Sequence, residues 1–476
     1  MNILEKYKLI VDTFPDKVAV ADKNHSYTFK ELYNVAKRIS YQIHKYAVNE
    51  PILVIANHES ETILMMLGVL LSGNYYIPID IEMPKEKINT IVKDSMAKVV
   101  IGNNYDESLF EGLHLLSMND LEENSFEIDS INEDNRLYVV YTSGSTGKPK
   151  GVVKSFKAMR LFIDCYSKTF GLTNEEIIGN QSPFYFDASA KDIYLMLWTG
   201  ATIQILGKEL FVLPISLINY MNENKVNFIS WVPSALSIVV QLNTFSEVKP
   251  KYLKNVFFVG EVMPVKHLNK WISALPNVRY VNLYGQSEIA GICCYYEISN
   301  IFEKSSLPIG KPLQNCEIVL NEDEICIISD SLAEGYYNDQ EKTNNAFKYE
   351  IINNKKCRVF HTGDLATYDE EGNLVFIGRK DYQIKHMGHR IELGEIESIA
   401  NSLGFVEKSC CLYNDTKKRI VLFCELKDKE RTAADIRMEL KNKLSEYMMP
   451  RIIIIKDRLP INKNGKIDRQ LLKEDI

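Results

Sequence analysis

Short apolar runs rich in β-branched residues alternate with amphipathic stretches along the first 380 residues, the pattern of an α/β protein. Pro51–Ala56, Lys98–Ile101, Leu137–Tyr141, Asn227–Trp231, Val256–Val259 and Arg279–Asn282 read as buried strands. Between them, Glu61–Ser72, Phe156–Phe170, Asp192–Leu197, Leu213–Glu223 and Val265–Leu275 carry helical periodicity. The texture changes near residue 380. There Glu392–Leu403 and Ala433–Leu444 read as helices, and Arg419–Leu426 and Arg451–Lys456 as strands, a separate α+β pattern. A boundary at Asp381 divides the chain into residues 1–380 and 381–476. No internal repeat or low-complexity tract interrupts either part.

A chain of 476 residues is too long for one ordinary core, which agrees with that division. The net charge of −7 disfavours a general nucleic-acid binder. The C-terminal segment is net basic and the remainder strongly acidic, a weak pointer to an acidic partner. Nine cysteines without zinc or redox spacing read as free thiols of a reducing compartment, and a cytoplasmic location is expected. His386 and His389 have no cysteine or carboxylate spacing that completes a metal site. No apolar run is long enough to cross a bilayer, and the N-terminus lacks the apolar stretch of a signal peptide.

The strongest local signal is Tyr141-Thr-Ser-Gly-Ser-Thr-Gly-Lys-Pro-Lys-Gly-Val152, directly after a buried strand. Its glycines free consecutive backbone N–H groups to point at one anion, and its hydroxyls and lysines add donors and charge. A polyphosphate is the natural ligand. The Walker spacing is absent, because Gly147-Lys148 is followed by Pro149 and stands too close to Gly144.

This loop resembles the signature of the adenylate-forming superfamily: acyl- and aryl-CoA synthetases, luciferase and the adenylation domains of nonribosomal peptide synthetases. Further segments in order strengthen the resemblance: Tyr27-Thr-Phe-Lys-Glu-Leu32, Gly73-Asn-Tyr-Tyr-Ile-Pro-Ile-Asp80, Phe186-Asp-Ala-Ser189, Asn282-Leu-Tyr-Gly-Gln-Ser-Glu288 and His361-Thr-Gly-Asp-Leu365. Gly378-Arg-Lys-Asp-Tyr-Gln-Ile-Lys385, Gly388-His-Arg-Ile-Glu-Leu-Gly-Glu395 and Asn464-Gly-Lys-Ile-Asp-Arg469 follow. Trp231-Val-Pro-Ser234 and Phe258-Val-Gly-Glu-Val-Met-Pro264 are most similar to stand-alone amino-acid adenylation enzymes, including D-alanine–carrier-protein ligases.

The resemblance implies a large N-terminal α/β adenylate-forming domain of βαβ-type sheets with a small β-subdomain, and a small mobile α+β C-terminal domain hinged at Asp381. It implies ATP and Mg2+ as cofactors, and an aminoacyl-adenylate made with release of pyrophosphate. The acceptor would be the phosphopantetheine thiol of a separate carrier protein, since no carrier segment is read after Ile476. Thr142, Ser143, Ser145, Thr146 and Lys150 would hold the β- and γ-phosphates, with Gly144, Gly147 and Lys148 in the same loop. Tyr284 would stack on adenine beside Gly285, Ser287 would bond the α-phosphate, and Glu288 would hold Mg2+. Asp364 and Arg379 would take the ribose, and Lys466 would be the catalytic lysine. Where the family usually has Pro-Thr this chain has Gln286-Ser287, which keeps the hydroxyl and loses a rigid turn. Val319–Ile327 is abbreviated, which implies a minimal β-subdomain.

In amino-acid-activating members an aspartate at the position of Asp187 binds the α-ammonium; the alternative is a helix N-cap. Ala188, Lys191, Ser230, Phe257, Val259, Leu283, Gly291 and Ile292 would complete the pocket. Lys191 has three open readings: a pair with Asp187 four residues earlier, a pocket cation for an acidic substrate, or a solvated side chain. The acid itself, a small amino acid or another carboxylic acid, is not identified. An acid–CoA ligase is the alternative activity, and a catalytically silent binding protein of the same fold is the third reading.

Overall fold

The computed structural model describes residues 1–142, 149–304, 306–380, 383–461 and 467–476. Two compact units emerge. The first takes Met1–Asp80, Val92–Val140 and Gly151–Gly378; the second takes Arg379–Ile476 with Ile81–Ile91 and Tyr141–Lys150.

Three sheets organise the first unit. A nine-stranded sheet runs in the order Lys311–Pro312, Cys294–Ile298, Arg279–Tyr284, Asn255–Val259, Phe228–Trp231, Ile177–Asn180, Thr202–Ile205, Val18–Ala21, Ser26–Thr28. Its central strands are parallel, and the parallel pair of Phe228–Trp231 and Asn255–Val259 is buried almost throughout. That agrees with their apolar runs, since parallel strands are covered on both faces. A seven-stranded sheet contains Pro51–Ile55, Tyr75–Ile79, Arg136–Thr142 and Lys150–Ser155. Helix Ser60–Leu71 is buried along nearly its whole length and approaches helix Phe29–His44 closely at Gly68. A Cβ at Gly68 would lie 2.4 Å from Ile39, so only glycine admits the approach.

The third sheet is the small β-subdomain, in which Glu317–Asn321, Glu324–Ile328, Lys355–Tyr368 and Phe347–Ile352 are neighbours in that order. The abbreviated segment closes as a tight hairpin. Asn321 pairs with Glu324, and both Glu322 and Asp323 take positive φ, as a two-residue turn between right-twisted strands requires.

In the second unit, strands Val406–Asn414 and Arg419–Leu426 are antiparallel, and Arg419–Leu426 continues through helix Ala433–Lys441 to the parallel strand Ile452–Ile455. Ile391, Ile396, Leu422, Ile436 and Leu440 form its core. Among the described residues no helix is long and apolar enough to cross a membrane.

Candidate active site

The glycine-rich segment joins strands Arg136–Thr142 and Lys150–Ser155. Ser143, Gly144, Ser145, Thr146, Gly147 and Lys148 lie outside the described residues, as do Asp381 and Lys466. At the ends of the segment the Thr142 hydroxyl donates to the Lys150 carbonyl at 3.5 Å. Both residues belong to the second unit, as does Arg379.

In the first unit, residues 284–293 fold back on themselves beyond strand Arg279–Tyr284. A Cβ on Gly285 would meet the Gly291 carbonyl oxygen at 2.1 Å, and Gly291 holds φ at 107° with a virtual Cβ 2.4 Å from the Phe162 ring. Both positions therefore need glycine. Glu288 is fully buried in this turn and accepts from the Tyr336 hydroxyl at 2.8 Å. Next to it, Lys154 donates to the carbonyls of Ser287 and Ile289, the latter at 2.6 Å. One buried ammonium thus pins the backbone on both sides of Glu288.

Asp364, nearly inaccessible, sits on strand Lys355–Tyr368 and faces the same turn. Its Oδ2 accepts from the Tyr284 hydroxyl at 2.6 Å and from the Gln286 side-chain amide. Gln286, at the position where the resemblance leads one to expect proline, also donates to the Thr362 carbonyl at 3.4 Å. The rigid turn is replaced by a side-chain tie to the neighbouring strand. The Thr362 hydroxyl donates to the Ile325 carbonyl at 2.7 Å and accepts from the Asp364 N–H, which fixes Asp364 in turn.

Asp187 opens helix Asp187–Thr199 but does not cap it; Phe186 is the N-cap and makes no side-chain cap bond. The N-cap alternative is therefore set aside. Asp187 Oδ1 accepts from the Tyr138 hydroxyl at 2.7 Å. Tyr138 is held in a stack of tyrosine rings between Tyr76 and Tyr194, whose hydroxyls bond each other at 3.0 Å. Burial pushes the Asp187 carboxyl above its usual range, opposed first by the Lys154 ammonium and then by the Tyr138 hydrogen bond. Burial lowers Lys154 in turn, against the pull of Asp187 and Glu288. Two carboxylates and one lysine thus form a coupled, enclosed group.

Two of the three readings of Lys191, the pair with Asp187 and the solvated side chain, do not describe what is found. Its ammonium pairs with Asp192 at 3.1 Å and donates to the carbonyls of Ala188 at 3.0 Å and Ser230 at 3.3 Å. It is buried, not solvated, and its charge is met by Asp192 and not by Asp187. Asp192 is held further by the Asn180 side-chain amide at 2.8 Å, whose oxygen meets His58 Nε2 at 2.8 Å. The other pocket candidates are gathered by sheet register. Ser230 lies beside Phe257, and Val259 beside Leu283, on adjacent parallel strands. Ala188 is on the Asp187 helix, and Gly291 and Ile292 are in the folded-back turn.

Sequence reasoning missed Lys154, Tyr138, Tyr336 and Asp192. A lysine inside Gly151-Val-Val-Lys154, on a strand buried at four successive positions, was the one readable signal. A charge there must find partners.

The chain matches the AMP-binding enzyme family over residues 9–337 and the AMP-binding enzyme C-terminal domain over residues 395–466. It is 30% identical to the D-alanine--D-alanyl carrier protein ligase of Bacillus licheniformis, with 100% of both chains covered. It is also 30% identical to tyrocidine synthase 1 of Brevibacillus parabrevis, covering 99% of this chain but only 45% of that protein. Among solved structures, an NRPS protein containing adenylation and PCP domains superposes with a TM-score of 0.88 at 22% identity, covering 100% of this chain and 84% of that one. The Vibrio cholerae adenylation domain AlmE, in complex with glycyl-adenosine-5'-phosphate, gives 0.86 at 20% identity, covering 99% and 97%. These two show a shared fold, a large N-terminal and a small C-terminal domain. With family matches across both parts of the chain and a 30% identical relative matched from end to end, this protein belongs to the AMP-binding enzyme family.

Proposed function

We propose that this chain activates an amino acid with ATP as an aminoacyl-adenylate, releasing pyrophosphate, and passes the aminoacyl group to the phosphopantetheine thiol of a separate carrier protein. The observation that carries the reading is Asp187. It is an enclosed carboxylate at a helix start, oriented by Tyr138 and partly balanced by Lys154. An α-ammonium is the ligand that such a group suits, because an enclosed anion is costly until a cation meets it. The full-length likeness to a D-alanine--D-alanyl carrier protein ligase supports the acceptor.

By motif resemblance Asp364, which Tyr284 and Gln286 hold, would accept from the ribose, and Ser287 would bond the α-phosphate. Glu288 offers one buried carboxylate, the hard oxygen ligand that Mg2+ prefers, on a turn fixed by Lys154 and Tyr336. Bound there, the cation would neutralise phosphate charge. By motif resemblance Thr142, Ser143, Ser145, Thr146 and Lys150 hold the β- and γ-phosphates, Lys466 serves adenylation, and Gly388-His389-Arg390 serves transfer to the thiol.

The test is ATP–pyrophosphate exchange across the proteinogenic L-amino acids, D-alanine and several aryl acids, with free CoA and a carrier protein compared as acceptors. Exchange should be strongest with an α-amino acid. Asp187→Ala should lower it by about 2–4 kcal/mol, roughly 30- to 1000-fold, through loss of the ammonium's charged partner. A best substrate without an amine, unaffected by Asp187→Ala, would refute the proposal.

A further inference from the structure

In the small β-subdomain, three side chains of different metal-binding character converge. Cys326 and His361 are directly opposite each other on antiparallel strands, and Glu324 stands two residues before Cys326 on the same face. The Cys326 Sγ lies 3.5 Å from His361 Nδ1, and a Glu324 oxygen lies 3.6 Å from the same nitrogen. The three ligand atoms all fall within 4.8 Å of one another.

We propose that Glu324, Cys326 and His361 form a binding site for a borderline-soft divalent cation, Zn2+ above all. With Zn–S near 2.3 Å and Zn–N and Zn–O near 2.0–2.1 Å, tetrahedral coordination separates neighbouring ligand atoms by about 3.4–3.6 Å. The Cys326–His361 distance already matches its edge, and the Glu324 oxygen needs to move in by only a few tenths of an ångström. The mixed sulfur, nitrogen and oxygen set favours Zn2+ over Mg2+ or Ca2+, which prefer oxygen alone.

The surroundings orient each ligand. His361 Nε2 meets the Glu350 carboxylate at 2.7 Å. With the proton on Nε2, the Nδ1 lone pair is directed at Cys326 and Glu324, the carboxylate–histidine arrangement common behind metal-bound imidazoles. Glu324 Oε1 accepts from the Gly363 N–H at 2.8 Å, which leaves Oε2 as the oxygen nearest His361. Cys326 is buried, while His361 and Glu324 keep 12% and 11% side-chain exposure, so a cation and one water can reach the cluster from that side. On binding, the thiol proton leaves to solvent, and thiolate plus carboxylate balance the two charges of the metal. The cation would tie strand Glu324–Ile328 to Lys355–Tyr368 immediately before Thr362-Gly363-Asp364. Its role is structural and does not depend on which acid the enzyme activates.

The experiment uses the full chain, stripped with chelator and titrated with Co2+ and then Zn2+ near neutral pH. One equivalent of Co2+ should produce tetrahedral visible bands with a thiolate-to-cobalt charge-transfer band, which Zn2+ then abolishes. Cys326→Ser should lose the charge-transfer band, while Cys357→Ser, on the strand that carries His361, should keep it. Glu350→Gln should weaken Zn2+ binding by about 10- to 100-fold, as loss of such an orienting partner does. Should Cys326→Ser fail to fold, Glu324→Gln takes its place, with the band kept and the affinity lowered. Absence of a charge-transfer band in the parent protein, or its persistence in Cys326→Ser, overturns the proposal. In that event the cluster is a hydrogen-bonded group of the β-subdomain and not a metal site.

Discussion

Lys154→Met is the sharpest perturbation the site offers. It removes a fully buried ammonium, keeps much of the side-chain volume, and leaves two backbone carbonyls, at Ser287 and Ile289, without their donor. Each orphaned carbonyl costs about 1–3 kcal/mol. The desolvation penalty of the ammonium is recovered at the same time, which brings the expected net destabilisation to about 2 kcal/mol. Melting should fall by a few degrees and leave a folded enzyme to assay. The electrostatic consequence is more specific. Burial raises Asp187, and Lys154 is the first of the groups holding it down. Without the lysine the Asp187 carboxyl rises further. Asp187 must be ionised to hold an ammonium and is ionised only above its own pKa. The acidic limb of kcat/KM for the amino acid should therefore move to higher pH, so the variant loses more at the acidic end of the profile than at the alkaline end. The assay is ATP–pyrophosphate exchange against amino-acid concentration at several pH values, beside a thermal melt. A loss by the same factor at every pH, or a pH profile unchanged from the parent, would refute the coupling of Lys154 to Asp187.

Two further substitutions separate specificity from scaffolding. Lys191→Met breaks a buried pair and should cost about 3–5 kcal/mol of stability, because Asp192 is left enclosed with only neutral donors; a melt reads this. Exchange should fall for all substrates alike, and selective loss of an acidic one would instead make Lys191 a recognition group. Gln286→Ala removes an amide that donates to Asp364. Loss of a hydrogen bond to a charge is worth about 1.5–3 kcal/mol, so KM for ATP should rise by about 10- to 100-fold with KM for the amino acid little changed. An unchanged KM for ATP would mean that Tyr284 alone positions the carboxylate.

Legibility in the sequence followed how local the cause was. Helix Phe156–Phe170 and strand Arg419–Leu426 fall where periodicity places them, because each carries its own pattern and, for the helix, Ser155 and Gly171 at its caps. Helix Asp187–Thr199 shows its apolar period only from Asp192, and its start at Phe186-Asp187 comes from the motif and not from the pattern. Helices Ile3–Thr13 and Phe29–His44 went unread although each begins with a capping box, Asn2 with Glu5 and Thr28 with Glu31. Motif order drew attention to Asp187, Glu288 and Asp364, but it could not supply their partners. Lys191 shows why: neighbouring positions on a helix do not face each other, so a pair with Asp192 is the last one a helical reading would choose. It forms because the long stem of Lys191 folds back toward the carbonyls of Ala188 and Ser230, and the second of these comes from a strand nearly forty residues away. Cys326 and His361 meet for a similar reason. Their encounter depends on the register of two strands that no turn joins, with an irregularity in the pairing between Glu324 and Cys326, and not on any spacing between the two residues. Chemistry that recurs as a motif can be read along the chain. Chemistry assembled by register and burial requires the folded backbone, and in this protein the buried charges belong mostly to the second kind.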